Sequence, residues 1–199
     1  MGARLRPRPQ GHGSWTAHEL LHGRRDRPAE GNAEAWCAAI TPDVVLMLMG
    51  TNDLARRACV INKRACTPEE QTAELRAGEA EALNAMTGIV ELARRRNPKV
   101  AIVLAQIPPN VWVPADEVRH FDDEGITALA RKLGTPDSPV FTVDLREGFV
   151  VAPDAPDSDT TDGVHPNFSG AKKIAARFHD ELTSRVLPSV VARRRAAGD

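Results

Sequence analysis

The stretch "DGVHPN" carries residue types that could perform general-base chemistry. Asp162 and His165 lie three residues apart in it. This spacing can place a carboxylate against an imidazole N–H, which fixes the histidine tautomer and supports the imidazolium formed when histidine takes a proton. Pro166 stiffens the turn that follows the histidine. The pattern predicts an Asp–His pair able to activate a nucleophile.

A second candidate is Asn52 in "MGTNDLARR", which follows the apolar run Val44 to Met49. The side-chain amide of an asparagine can donate a hydrogen bond to an oxyanion. Asparagine is also common in turns, so the local sequence leaves both interpretations open. The choice between them depends on which residues the fold brings close to Asn52.

The elements that must position these residues alternate between strands and helices. Strands are predicted at Val44 to Met49, in "KVAIVLAQIPP" and in "VFTVDL"; helices are predicted after Thr67-Pro68, in "FDDEGITALARKLG" with Gly134 as C-cap, and after "DGVHPN". This alternation indicates an α/β fold with a parallel sheet and right-handed crossovers. Because parallel strands end at one edge of a sheet, we expect Asn52, Asp162 and His165 to converge there.

Composition limits the class of protein. The chain has 199 residues, enough for about one domain, with 42% apolar and 27% charged residues, as in ordinary globular proteins. A net charge of −1, from 26 basic and 27 acidic residues, gives no reason to expect a nucleic-acid or membrane partner. The basic N-terminus lacks the apolar segment of a secretory signal. The compartment and the oligomeric state stay undetermined.

Two of these stretches together resemble conserved blocks of a known superfamily. "GTND" is similar to the third block, and "DGVHPNFSGAKKIA" to the fifth block, of the SGNH or GDSL-like hydrolases, which are esterases. The resemblance implies a three-layer α/β/α sandwich of the flavodoxin-like type, with no cofactor and no metal. It also implies that Asn52 is an oxyanion donor and that Asp162 and His165 are two members of a catalytic triad.

A third stretch, "GHGSWTA" at residues 11–17, resembles the second block of the carbohydrate acetylesterase branch, closer to Gly-His-Pro-Gly-Trp-Thr. His12 belongs to this pattern. The oxyanion glycine of the family falls on Ser14, which keeps a backbone N–H but loses the conformational freedom of glycine. The resemblance implies a small ester substrate such as an acetylated carbohydrate.

The first block, Gly-Asp-Ser with the nucleophile, has no counterpart in the sequence. The ten residues before Gly11 contain no serine, and Ser14 has no predicted contact with His165. We therefore expect an inactive or truncated form that lacks the first two strands of the fold and belongs to a parent protein of the secreted type. Its apolar strand from Val44 to Met49 would then be an exposed edge.

The expected organisation is an irregular segment at 1–35 that carries the second-block motif, a hydrolase domain at 36–188 and a basic tail at 189–199. Two rival functions stay open: a non-catalytic remnant or carbohydrate-binding module, and a metal-dependent hydrolase that uses Asp162, His165 and His12 without any zinc-type spacing. Cys59 and Cys66 could close a small disulfide loop or remain two thiols. The other histidines, His18, His22, His120 and His179, are predicted to lie at the surface.

Overall fold

The computed structural model describes residues 11–59 and 61–196, and its centre is a parallel sheet. Strands β1 (Val44–Met47), β2 (Ala101–Ala105) and β3 (Val140–Val143) are paired in the order β1-β2-β3. Val44 lies opposite Ala101, and Ile102 lies opposite Val140. All five residues of β2 are buried, as expected for a central strand that is apolar on both faces. The predicted α/β class with a parallel sheet is confirmed.

Helices surround this sheet in chain order. They are α1 (Ala17–His22), α2 (Ala33–Ala39), α3 (Thr51–Ala55), α4 (Pro68–Arg96), α5 (Ala115–His120), α6 (Thr127–Leu133), α7 (Phe168–Glu181) and α8 (Leu187–Ala196). A 3-10 turn at Pro28–Glu30 separates α1 from α2, and π-helical segments at Phe121–Ile126 and Leu182–Val186 join α5 to α6 and α7 to α8. Within the described ranges, no helix has the length and apolar character needed to cross a membrane.

Helix α4 shows how local sequence sets an element. The Thr67 hydroxyl accepts the Glu70 N–H at 3.2 Å, and the Glu70 carboxylate accepts the Thr67 N–H at 2.8 Å, which forms a capping box. Pro68 occupies the first turn, where a missing N–H has no cost. Three arginines end the helix, and Asn97 is its C-cap. The predicted start of this helix is therefore confirmed.

Apolar clusters on both faces of the sheet make the fold three-layered. On one face, Ile102 and Leu104 of β2 belong to the larger core, which includes Leu75, Met86 and Val90 of α4. On the other face, Ala101, Val103 and Ala105 pack with residues of α7 and the segment that follows it. This second contact is supplied by Ile174, Phe178, Leu182 and Val186.

Strand β1 is shorter than the predicted strand and is only partly buried. It ends at Met47, and the side chains of Leu46 and Leu48 are 44% and 41% exposed. Among the described strands β1 pairs only with β2, and its other backbone edge has no described strand beside it. The helical layer that covers Val103 does not extend over Leu46. This agrees with the expectation of an exposed edge strand.

Several boundaries also differ from the predictions. The helical segment predicted from Phe121 already begins at Ala115, and its C-cap Gly134 has an extended conformation (φ −64°, ψ 131°) instead of a left-handed one. Helix α1 lies inside the segment expected to be irregular, and α8 includes most of the predicted basic tail. In that helix Arg194 forms an ion pair with Asp43 at 2.6 Å, so it is not simply solvated.

The structure resolves the alternative left open for Cys59 and Cys66, and it shows where the predicted surface histidine His120 lies. Cys59 and Cys66 are joined in a disulfide that follows α3, and Cys37 is a free thiol. His120 is not simply a surface residue, because its side chain is only 38% exposed and its Nδ1 contacts Glu79 at 3.2 Å.

Candidate active site

Asp162 and His165 form a hydrogen-bonded pair in the loop between β3 and α7. The His165 Nδ1–H donates to Asp162 Oδ2 at 2.7 Å. Asp162 Oδ1 accepts the backbone N–H groups of Val164 at 3.0 Å and of His165 at 2.8 Å. Two hydrogen bonds lower the pKa of Asp162 to about 2: the larger effect comes from the His165 backbone N–H and the next from the His165 side chain. Asp162 is therefore ionised at neutral pH and can support a charged imidazolium.

The pair lies at the surface on a loop that buried groups support from below. The side chains of Asp162 and His165 are 51% and 67% exposed. The carboxylate of Asp159 is fully buried and accepts the Val150 N–H and the Lys173 ammonium, both at 2.7 Å. Asn167 caps α7 and donates to the Ser158 carbonyl at 2.6 Å. Sequence reasoning missed Asp159, whose only signal is its place in an Asp-rich loop.

Asn52 and the turn at Ser14 and Trp15 form the second part of the candidate site. Asn52 lies in the first turn of α3, and its side-chain amide donates to the Trp15 carbonyl at 2.8 Å. An amide carries two N–H donors, so the second one stays available to a ligand. The Arg56 guanidinium donates to the Ser14 carbonyl. These contacts join the second-block and third-block motifs into one unit.

Ser14 itself has the backbone conformation that a glycine would adopt easily. Its φ is +64°, in the left-handed region that non-glycine residues seldom enter. The expected loss of glycine's freedom therefore does not prevent the left-handed turn. A non-glycine residue in this region carries strain, which the contacts of Asn52 and Arg56 with the turn must offset.

Asp53 anchors the same turn from inside the protein. Its side chain is 5% exposed, and both of its carboxylate oxygens lie within 3.1 Å of the Ala17 N–H. Burial raises the pKa of Asp53 to about 6. The sequence showed Asp53 beside Asn52 at a strand end, but nothing local indicated that it would reach the start of α1.

His12 lies in an aromatic stack, away from the Asp162–His165 pair. Its ring packs against the rings of Trp15, at 4.4 Å between centroids, and Trp36, at 4.8 Å, and its Nδ1 contacts Glu30 Oε2 at 2.8 Å. The metal-dependent rival would need His12 beside Asp162 and His165, which this arrangement does not provide. Across residues 11–59 and 61–196, no group of three or more His, Cys, Asp or Glu side chains is placed to hold a metal ion.

The loop at 107–114, after β2, contacts the loop that carries the Asp–His pair. The Ile107 N–H at its start donates to buried Asp122 at 2.8 Å, and burial raises the pKa of Asp122 to about 7. The Val111 N–H donates to the Gly163 carbonyl at 3.0 Å. Trp112 meets the His165 ring at an interplanar angle of 86°, with 5.6 Å between centroids.

The structure brings the predicted residues together as two units. Asn52 and Ser14 share one, Asp162 and His165 the other, and both lie beyond the carboxyl ends of the strands. Between the described residues, no hydrogen bond joins His165 to Asn52 or to Ser14. The Ser14 hydroxyl is thus not paired with the candidate base. The arrangement can orient an imidazole and can offer N–H donors to an anion.

Known proteins share both the sequence pattern and the fold. Residues 1–173 match the model of the GDSL-like lipase/acylhydrolase family. Two solved structures, a carbohydrate esterase family 3 protein from Talaromyces cellulolyticus and an acetyl esterase mutant with an acetate ion, are each similar with a TM-score of 0.61 and 24% identity. Each match covers 87% of this chain and 69% of the other. No curated protein sequence matches the chain.

Proposed function

The chain belongs to the GDSL-like lipase/acylhydrolase family, a family of hydrolases that act on esters, and from this membership we propose that its site cleaves acetyl esters of carbohydrates. The observation that carries the proposal is the 2.7 Å hydrogen bond between His165 Nδ1 and Asp162. It leaves Nε2 of His165 as the nitrogen that can take a proton from a nucleophile. The two similar structures, a carbohydrate esterase family 3 protein and an acetyl esterase, support the choice of an acetyl group and a carbohydrate.

In the proposed mechanism a serine hydroxyl attacks the ester carbonyl carbon while His165 Nε2 takes its proton. Asp162 holds the Nδ1–H and stabilises the imidazolium. The tetrahedral oxyanion accepts hydrogen bonds from the free amide N–H of Asn52 and from the backbone N–H of Ser14. His165 then protonates the leaving alcohol, and water activated by the same imidazole releases acetate and regenerates the serine.

The 199 residues contain no Gly-Asp-Ser sequence, so the proposed mechanism takes its nucleophile from outside them. We expect the 199-residue polypeptide to hydrolyse 4-nitrophenyl acetate no faster than buffer, since loss of the nucleophile typically costs about six orders of magnitude in kcat. Turnover that survives Ser14→Ala but not His165→Ala would contradict this expectation, because another group in the chain would then be the nucleophile.

The decisive assay uses a polypeptide that is extended by the residues encoded upstream of Met1. We expect it to release acetate from an acetylated xylo-oligosaccharide, to lose this activity with His165→Ala, and to slow by about 10²–10³-fold with Asn52→Ala, as when one oxyanion donor is removed. His179→Ala is the matched control, because this exposed histidine lies on α7. An inactive extended protein, or activity that His165→Ala leaves intact, would refute the proposal.

The non-catalytic alternative makes a different prediction for the same samples. A carbohydrate-binding module would raise its melting temperature with the acetylated oligosaccharide and would show no acetate release in either polypeptide. A metal-dependent hydrolase would lose activity when a chelator is added.

A further inference from the structure

The imidazole of His165 needs support that the Asp162 bond alone does not supply. The ring lies on a loop, with 67% of its side chain exposed. Half a turn about its Cβ–Cγ bond would take Nδ1 away from the Asp162 carboxylate and point it into solvent. A single hydrogen bond exposed to water contributes little net free energy, so it restrains such a rotation weakly.

Trp112 is the aromatic residue in contact with this ring. The two planes meet at 86° with centroids 5.6 Å apart, which is the edge-to-face geometry that aromatic pairs prefer. Trp112 is half-buried, and its other contacts are with the larger core. A core residue that also contacts an exposed imidazole can transmit the rigidity of the core to that imidazole.

The backbone that carries Trp112 is itself fixed. The side-chain oxygen of Asn110 accepts the N–H groups of Trp112 at 3.0 Å and Val113 at 3.1 Å. Val113 is 3% exposed and anchors the end of the loop in the core. The indole therefore has a defined position before it meets His165.

The loops of Trp112 and His165 also hold each other in register. The Val111 N–H donates to the Gly163 carbonyl at 3.0 Å. Gly163 has a φ of +85°, and a Cβ there would lie 2.6 Å from a Val111 methyl group. The two backbones approach this closely because residue 163 has no side chain, so displacement of one loop would displace the other.

We propose that Trp112 is a positioning residue that keeps the His165 ring in the orientation in which Nδ1 faces Asp162 and Nε2 faces the substrate. The inference rests on the proposed role of His165 as general base, but the orientation itself is a property of the folded chain. Loss of the indole would free the second ring orientation, in which Nδ1 has no carboxylate partner. The Nε2–H tautomer, which cannot act as the base, would then gain population.

The test uses ¹⁵N-histidine-labelled 199-residue protein, with the His165 signals assigned from the spectrum of His165→Ala. At a pH where the ring ¹⁵N shifts no longer change with pH, these shifts report the ratio of the two neutral tautomers. We expect the Nδ1–H form to dominate in the wild type. Trp112→Leu should lower the Nδ1–H to Nε2–H ratio by about three- to tenfold, the range that an aromatic pair contact supplies.

Two variants separate positioning from packing. Trp112→Phe keeps an aromatic edge and should restore most of the wild-type ratio, whereas Trp112→Leu keeps apolar volume without a ring. If Trp112 only fills space, leucine and phenylalanine will give the wild-type ratio alike, and the proposal is overturned. Trp36→Phe, which alters the stack around His12, should leave the His165 signals unchanged, and circular dichroism checks that each variant is folded.

The outcome is independent of turnover. A tautomer ratio that responds to Trp112→Leu, together with an extended protein that releases no acetate, would leave the positioning intact and refute the proposed function. An active extended protein whose His165 signals do not change with Trp112→Leu would support the proposed function and refute the positioning role of Trp112.

Discussion

The two halves of the candidate site are built in opposite ways. In the half around Asn52, the hydrogen bonds join residues 36 to 42 positions apart, and the anchoring Asp53 is buried. In the half around His165, the hydrogen bonds that shape the pair stay within four residues, and both side chains are about half exposed or more. The hydrogen bonds of one half are tertiary, while the hydrogen bonds within the Asp–His pair are those of an exposed local turn.

This difference predicts how substitutions in each half affect stability and activity. Changes near Asn52 disturb buried groups, so we expect them to lower the free energy of unfolding as well as any activity. Changes to the Asp–His pair remove chemical groups that water can replace, so we expect them to affect the imidazole while the fold stays stable. Glycine substitutions, the pH dependence of stability and removal of single carboxylates test that contrast.

Substitution of the glycine in each half compares the two environments directly. Gly50, which precedes α3, has a φ of +119°, and a Cβ there would lie 2.4 Å from the ring of fully buried Phe121. Gly50→Ala should lower the free energy of unfolding by about 4 kcal/mol or more, because neither backbone nor ring can yield. Gly163→Ala should cost only about 1–2 kcal/mol, because Val111 is 53% exposed and can move.

Urea unfolding measures both variants, and Gly148→Ala is the matched control. Gly148 also has a positive φ, +71°, but a Cβ there would meet nothing within 4 Å. It therefore isolates the conformational strain from the clash. A Gly50→Ala protein as stable as Gly148→Ala would show that the Asn52 half is not rigidly packed.

The buried and exposed carboxylates predict opposite responses to pH. The pKa values of Asp53 and Asp122 are raised to about 6 and about 7, so the folded state binds more protons than the unfolded state between about pH 4 and 7. Stability should therefore fall as the pH rises through this window, by about 4 kcal/mol for Asp122. The pKa of Asp162 is lowered, so its contribution is present above about pH 4 and is lost as the pH falls towards 2.

Asp122→Asn checks this assignment. The amide oxygen can still accept the Ile107 N–H, but the side chain no longer ionises. Urea unfolding at pH 5 and pH 8 should show a large difference for the wild type and a much smaller one for the variant. An unchanged difference would mean that another group causes the pH dependence.

The smallest effect comes from removing one carboxylate from each half at pH 5. There Asp53 is largely protonated, so Asp53→Ala removes its acceptor without relieving a buried charge, and we expect a loss of about 1–3 kcal/mol from the unpaired Ala17 N–H. Asp162→Ala should change stability less, because water reaches the groups that it leaves. Thermal unfolding with equal losses for both variants would remove the contrast between the halves.

Much of this arrangement was predictable because its causes are local. The capping box of Thr67 and Glu70, the apolar run of β2 and the three-residue spacing of Asp162 and His165 all act between near neighbours. The order of these elements along the chain predicted the parallel sheet. The roles of those residues stay predictions that the proposed assays address.

Other features of the site depend on tertiary contacts that no local sequence pattern indicates. The left-handed Ser14, the reach of Asp53 to Ala17, and the contact of Trp112 with His165 each join segments that are distant in sequence or need a backbone conformation that neighbours do not dictate. No local preference encodes them, because their free energy comes from burial and close approach that exist only after the chain has folded. Sequence determined which residues could do chemistry, and packing determined how they are held.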